Sequence, residues 1–539
     1  MSVHPSLADM QCALGRGEEL ALRWLGWNGE RVDYSYARLA DAASRAATVL
    51  RDAGLVAGDV VAVMAGRRPE TLIAALGIWK AGGVYCPLYA DLGPDPLAAR
   101  LDLAEARFLV VDAGLYAEVV APMRPLLPNL LGVLVVASGE APPPDGCLDF
   151  NRLCHAATPL AQAAERPRGS ALMLHFTSGT TAPVTGGNAL PKAVLHGPDV
   201  LEAIAASAHA AFDLRAGEML WCGGDPGWVT HTAYGLVAPL ALGGAILLDE
   251  VPSAPTRCLS VLEDEPVAVW YTTPTVVRGL IGGGAAPARS FKPRALRLAA
   301  CVGEPLSADA VEWGRTALGV AFRDTWWQTE TGAVVLAHDP ARPPLAGSMG
   351  RVLPGLRVEL VRRDAQGGVT LLPPGPGTGE LAVSTHCLPR WRSLGGERGA
   401  PLEEMEDWHL SGDMVRRDEN GYFWFLGRDD EVILAGGRMI GPFEIEAVLM
   451  SHPAVAEVGV VGAPDTRSHE HPVAFVAVNP GFEAGGSLRR ELMDYAYQHL
   501  GEGLSPQDIF FTQDLPRTTS GKIIRRALRI MAQSGVLTA

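Results

Sequence analysis

At 539 residues the chain is longer than one ordinary hydrophobic core, so two or more domains are expected. Its 48% hydrophobic and 19% charged residues argue against a disordered protein. A formal charge of −15 argues against a general nucleic-acid binder, but not against a nucleotide site, which needs only local donors.

Eight scattered cysteines (Cys12, Cys86, Cys147, Cys154, Cys222, Cys258, Cys301, Cys387) show no C-x-x-C pair and no Cys/His zinc spacing. They read as buried thiols of a reducing compartment. The first residues carry no basic segment followed by an apolar run, and no apolar stretch is long enough to span a bilayer. A soluble, cytoplasmic protein without a membrane partner is therefore expected.

In chain order, residues 36–53 place Leu39, Ala42, Ala43, Ala46, Ala47 and Leu50 on one helical face. A β-branched strand is expected at 59–65, a helix at 70–81, and buried strands at 86–89 and 108–111. Strands alternating with helices imply parallel βαβ units covered on both faces. A proline-rich loop follows at 141–145. The alternation resumes from 200 to 300, with strands at 245–248, 268–271 and 296–301. Beyond Gly347 the texture becomes short strands split by Gly and Pro, at 358–361 and 380–383. An aromatic strand at 422–426 ends in the charged break Arg428, Asp429, Asp430, Glu431. After it come a helix at 442–450, strands at 455–461 and 473–478, and a helix at 488–500. A boundary at Asp430 divides the chain into units 1–429 and 430–539.

The first chemical motif is Thr177, Ser178, Gly179, Thr180, Thr181, after an apolar strand at 171–176. Small residues let the backbone approach a phosphate closely, while hydroxyls and amides supply donors. By itself this pattern is more often an ordinary loop. Further along stand Asp324, Thr325, Trp326, Trp327, Gln328, Thr329, Glu330, Thr331 and Gly332, then Gly412 and Asp413, Gly427 and Arg428, and finally Ser520, Gly521 and Lys522. A core indole is the commoner fate of a lone Trp326 or Trp327, and a solvated side chain that of a lone Lys522. The ordered set is far more specific than any member.

From about Val32 to Leu528 the sequence resembles the adenylate-forming superfamily, and within it the AMP-forming acyl-CoA synthetases nearest to acetyl-CoA synthetase. Trp228 to Thr230, Tyr271 to Thr275 and Val302 to Pro305 also carry the resemblance. It implies an α/β fold: a large N-terminal domain of βαβ subdomains plus a β-rich subdomain, and a small, mobile α+β C-terminal domain. It implies ATP, Mg²⁺ and coenzyme A, and ligation of a small carboxylic acid to CoA through an acyl-adenylate. By position, Lys522 matches the catalytic lysine, whose ammonium meets the carboxylate and the α-phosphate together. Acetylation, by a lysine acetyltransferase and reversed by a deacylase, would remove that charge.

The same resemblance places Thr177, Ser178, Gly179, Thr180 and Thr181 on phosphates and Asp413 on both ribose hydroxyls, with Arg428 beside it. Gly303, Glu304 and Pro305, with Asp324, Thr325 and Trp326, match the adenine pocket. Gln328 belongs to the same nucleotide stretch, Thr329 matches a phosphate contact, and Glu330 the ligand of ATP-bound Mg²⁺. Val229, Thr230, Val302 and Trp327 match the acetate pocket, where a tryptophan closes the tunnel that longer acids use; acetate stands first and propionate second. Asp430 matches the hinge, Gly436 and Gly437 the loop passing the CoA thiol, and Arg100 a CoA phosphate contact. His452 reads either as part of a structural cation site or as a helix-end histidine.

Departures from the family leave alternatives open. Residues 182–190 separate Thr181 from Pro191 and Lys192, either reshaping the loop over pyrophosphate or restoring its flexible tip through Gly186 and Gly187. Met439 stands where an arginine is usual, with Arg438 adjacent as a substitute, and His231 stands where a glycine is usual. An acyl-adenylating enzyme for a longer acid or a carrier-protein thiol, and a nucleotide-binding pseudoenzyme, are the competing readings.

Overall fold

The computed structural model of the chain describes residues 6–137, 142–166, 169–177, 192–251, 253–282, 291–364, 368–395, 407–429, 431–435, 438–465, 469–500, 505–517 and 523–534. Among these residues an eight-stranded sheet holds the parallel strands Val60–Met64, Val84–Pro87, Phe108–Asp112, Gly132–Val136, Leu148–Asp149 and Met173–Thr177. Lys192–His196 and Trp391–Gly395 extend it antiparallel. A nine-stranded sheet has the parallel run Met219–Cys222, Ala245–Asp249, Val267–Thr272, Leu298–Cys301 and Phe322–Trp326. The alternation expected from the sequence is present in both.

Helix Pro69–Ala81 is buried along nearly its whole length, because it lies in the core shared by the two sheets rather than at the surface. Helix Tyr36–Asp52 packs against it where Gly77 leaves room: a Cβ there would stand 2.7 Å from that of Ala46. The third layer is a five-stranded antiparallel sheet built on Val358–Arg363, Gly377–Ser384, Trp408–Arg417 and Phe423–Arg428, the short-strand region that the Gly and Pro pattern marked.

The C-terminal segment has its own sheet, in which Val455–Asp465 and His469–Val478 form a long antiparallel pair and Asp508–Phe511 adds in parallel. Helices Pro442–Met450 and Gly486–Leu500 cover one apolar cluster of this sheet, and the Arg525–Ser534 helix covers another. Arg525 binds Glu446 and Glu431 and ties the last helix to Pro442–Met450.

Two expectations change. The strand placed at 86–89 is Val84–Pro87, ending at a proline, which has no N–H to continue a ladder. Arg428 does not begin a charged break: it ends the strand Phe423–Arg428, held in register opposite Asp413 by their ion pair. Among the described residues no helix is long and apolar enough to cross a membrane.

Candidate active site

The strands Val267–Thr272, Leu298–Cys301 and Phe322–Trp326 end level with one another, Thr272 opposite Cys301 and Cys301 opposite Asp324. The sequence motifs leave the carboxyl ends of these strands, the usual place for a ligand cleft in a parallel sheet. Val302, Gly303, Glu304 and Pro305 follow one strand; Asp324, Thr325 and Trp326 close its neighbour. Gly303 has φ +91°, and a Cβ there would meet the Trp228 indole at 3.5 Å. Burial pushes the Asp324 carboxyl up to about 8, against the N–H donors of Leu306 and Thr325. At neutral pH it is therefore mostly protonated.

The ladder is irregular between Gly377–Ser384 and Trp408–Arg417, and Gly412 turns there at φ +68°; a Cβ would stand 2.7 Å from the Arg428 guanidinium. This bend delivers Asp413 to the nine-stranded sheet. Its Oδ2 accepts from Trp326 Nε1 at 2.8 Å and from Gln328 Nε2 at 3.0 Å; its Oδ1 accepts from Arg428 Nη1 at 2.8 Å. Trp326, Gln328, Asp413 and Arg428, expected together from separate motifs, are in direct contact.

Gln328 to Gly332 form a tight turn, in which Thr331 N–H and Oγ1–H both donate to the Gln328 carbonyl. His196 Nε2 donates to the Thr329 carbonyl at 2.7 Å. Lys192 Nζ donates to Glu330 Oε1 at 2.8 Å. Burial alone would raise the Glu330 carboxyl, but the charge and hydrogen bond of Lys192 hold it below the ordinary value. Lys192 and His196 share a strand that pairs with Met173–Thr177, Thr177 opposite Lys192.

The acyl-pocket candidates Val302 and Trp327 lie in one buried cluster with Val229 packed on it, while Thr230 is buried just before the π-helix His231–Val237. Trp327 meets the Tyr234 ring edge-on, centroids 5.3 Å apart, and Tyr234 meets Tyr271 likewise at 5.2 Å. A satisfied relay fixes the indole. Trp327 Nε1–H donates to Tyr271 Oη (3.2 Å), Tyr271 to Thr325 Oγ1 (2.8 Å), and Thr325 to the Cys301 carbonyl (2.7 Å). His231 fills the position where a glycine was expected. Its Nδ1 binds the Gly224 carbonyl, and burial pulls the ring down to about 3.

Arg100 is not free in solvent. It donates to the Pro96 carbonyl and its guanidinium lies 5.5 Å over the Phe176 ring, next to Thr177. His452 follows helix Pro442–Met450, pairs with Glu491 and stacks edge-on to Tyr495, which fits the helix-end reading. Among the described residues no group of three or more His, Cys, Asp or Glu is placed to hold a metal ion. Ser178, Gly179, Thr180, Thr181, Asp430, Gly436, Gly437 and Lys522 lie outside the described residues, as does the side chain of Arg438, which opens the strand Arg438–Ile440. The sequence reading missed the partners His196 and His409, and it named Tyr271 within a motif without giving it a role. His409 has no signal beyond standing four residues before Asp413, and His196 none beyond ending an apolar strand.

The AMP-binding enzyme family model matches residues 11–390, and that of the AMP-binding enzyme C-terminal domain matches residues 444–522. The chain belongs to the AMP-binding enzyme family. It is 34% identical to acetyl-coenzyme A synthetase of Bacillus subtilis, over 92% of this chain and 84% of that one. It is 33% identical to acetyl-coenzyme A synthetase 2 of Pseudomonas aeruginosa, over 96% and 82%. Among solved structures, an acyl-CoA synthetase of Brucella canis matches with TM-score 0.71 and 30% identity, covering 98% of this chain and 94% of that one. An anthranilate CoA ligase in complex with anthranoyl-AMP shares the fold, with TM-score 0.86 at 22% identity, covering 99% and 98%. This AMP-binding enzyme is an AMP-forming acyl-CoA ligase of the adenylate-forming superfamily, using ATP and CoA.

Proposed function

We propose that the acid is short, acetate first and propionate second, and that the acceptor is free CoA. The observation that supports this most is the fixed indole of Trp327, walled by Tyr234 and hydrogen-bonded to Tyr271, among the acyl-pocket candidates Val229, Thr230 and Val302. An aromatic wall held by a satisfied relay cannot move aside cheaply for a longer chain.

In this reading a carboxylate oxygen attacks the α-phosphorus of ATP and pyrophosphate leaves. The CoA sulfur then attacks the acyl carbon, loses its proton, and AMP leaves. Asp413 and Arg428 hold the ribose; Gly303, Glu304, Pro305, Asp324, Thr325 and Trp326 line the base. Gln328 bridges to the ribose carboxylate, while Thr329 and residues 177–181 take phosphates. Lys522 supplies the charge for the first step, Asp430 is the hinge between units 1–429 and 430–539, and Gly436 and Gly437 pass the thiol. Arg438 and Arg100 approach phosphates.

Glu330, a partly buried carboxylate kept ionised by Lys192, is the hard oxygen donor that would hold Mg²⁺ bound with ATP, and the ion would have to share that carboxylate with the lysine. Acetylation of Lys522, reversed by a deacylase, would switch the first step. The enzyme would work in the cytoplasm, where its cysteines stay reduced.

The test is pyrophosphate release over linear acids from formate to octanoate, plus benzoate and anthranilate, with and without CoA. Turnover with acetate and propionate that rises with CoA is expected. Activity confined to hexanoate and longer, or to aromatic acids, would refute the assignment, and slow release unaffected by CoA would point to a carrier-protein thiol.

A further inference from the structure

The Gln328 amide is held at both ends by the strand Trp408–Arg417. Its nitrogen lies 2.9 Å from the Ser411 carbonyl oxygen and 3.0 Å from Asp413 Oδ2. Both partners are acceptors, so this end is the NH₂ group. The amide oxygen therefore faces His409, whose Nε2, 2.9 Å away, must carry the proton. His409 is 2% exposed, its Nδ1 is buried with no partner among the described residues, and Trp391 packs edge-on to its ring with centroids 5.4 Å apart. Burial lowers the imidazole below its ordinary value despite Glu330, and Lys192 deepens the fall. The ring is thus a neutral donor with a fixed tautomer.

We propose that His409 is a positioning residue for the nucleotide: its Nε2–H anchors the oxygen end of the Gln328 amide, so that the NH₂ end stays seated on Asp413. This rests on the reading of Asp413 as the ribose carboxylate. Without that donor the amide oxygen is left buried and unpaired, so the side chain is held at its NH₂ end alone and loosens its grip on the carboxylate that Trp326 and Arg428 also bind. Ribose is common to ATP, acyl-AMP and AMP. The consequence must therefore appear with ATP, acyl-AMP and AMP, and not in KM for CoA or for the acid.

The experiment measures AMP and ATP affinity by calorimetry, with KM for ATP, acid and CoA, in His409→Phe, His409→Gln and Asp413→Asn. Glutamine is chosen because its amide nitrogen reaches the place of Nε2. The expected result is nucleotide binding weakened about tenfold in His409→Phe, the scale of one hydrogen bond to a charged site, and largely restored in His409→Gln. KM for acid and CoA should stay near the parent values. If His409→Phe binds nucleotide like the parent while Asp413→Asn binds weakly, the inference is overturned. Equal losses in the Phe and Gln variants, tracking a lowered Tm, mark a purely structural ring and overturn it too. If Asp413→Asn itself binds AMP like the parent, the ribose reading fails first and takes the inference with it.

Discussion

The two ends of the proposed cleft would recognise their ligands by different physics. At the ribose end both oxygens of Asp413 already accept N–H donors, Trp326 and Gln328 on Oδ2 and Arg428 on Oδ1, and keep acceptor capacity for hydroxyls. At the acyl end Trp327 spends its one polar atom on Tyr271, and what it offers a ligand is volume. Hydrogen-bonded charge fails abruptly when one partner is removed, because the others are left buried and unpaired. An apolar wall fails gradually, by roughly 1–3 kcal/mol per methylene. Substitutions at the ribose end should therefore be nearly all-or-none, and at the acyl end they should retune.

The largest effect is expected where charge meets charge directly. Lys522→Ala should slow adenylation roughly 10²–10³-fold, the scale of losing one electrostatic stabiliser of a transition state. Thioester formation from supplied acyl-AMP should survive; equal loss of both half-reactions would remove Lys522 from its role. Next comes Asp413→Ala, which leaves Arg428 and the Trp326 N–H without their carboxylate. Its kcat/KM for ATP should fall about 10²-fold, and a loss under threefold would erase the contrast between the two ends.

Trp327→Gly probes the other end and should shift preference rather than abolish turnover. Each added methylene that finds room contributes about 0.8 kcal/mol, so butyrate and hexanoate should gain on acetate. An unchanged profile over the linear acids would show that the indole does not bound the pocket.

What the sequence made legible follows the same division. Strands at Phe108–Asp112, Ala245–Asp249 and Val455–Asp465, and the helix Pro442–Met450, could be read locally, since β-branched runs and 3.6-residue periodicity are local signals. The motifs around Trp326 and Asp413 were legible through resemblance. Their bracing was not: His196 reaches a carbonyl 133 residues away and His409 an amide 81 residues away, and nothing in either neighbourhood announces the partner. Arg428 was misread because charge usually marks a strand's end, whereas here the cross-strand Asp413 makes the charge part of the ladder. The π-helix at His231–Val237 also left no periodic trace.

The last effect acts on stability rather than on turnover. His175 stands in the middle of the Met173–Thr177 strand, its side chain buried, with Nε2 2.9 Å from Thr232 Oγ1; burial, helped by the neighbouring His196, pulls its ring down to about 3. A histidine depressed in the folded state stays neutral there while the unfolded chain takes up a proton below about pH 6.5. Its stabilising contribution is complete above that pH and is lost as pH falls toward 3, with the unfolded form binding the extra proton throughout. Stability should then decline by roughly 1.4 kcal/mol per pH unit for this group alone. Urea unfolding from about pH 7 to pH 4 checks it: His175→Gln should flatten the slope by close to one proton, even if the variant starts from lower stability. Identical slopes in parent and variant would mean that the ring is charged in the fold, and that the base of the cleft is wetter than its packing indicates.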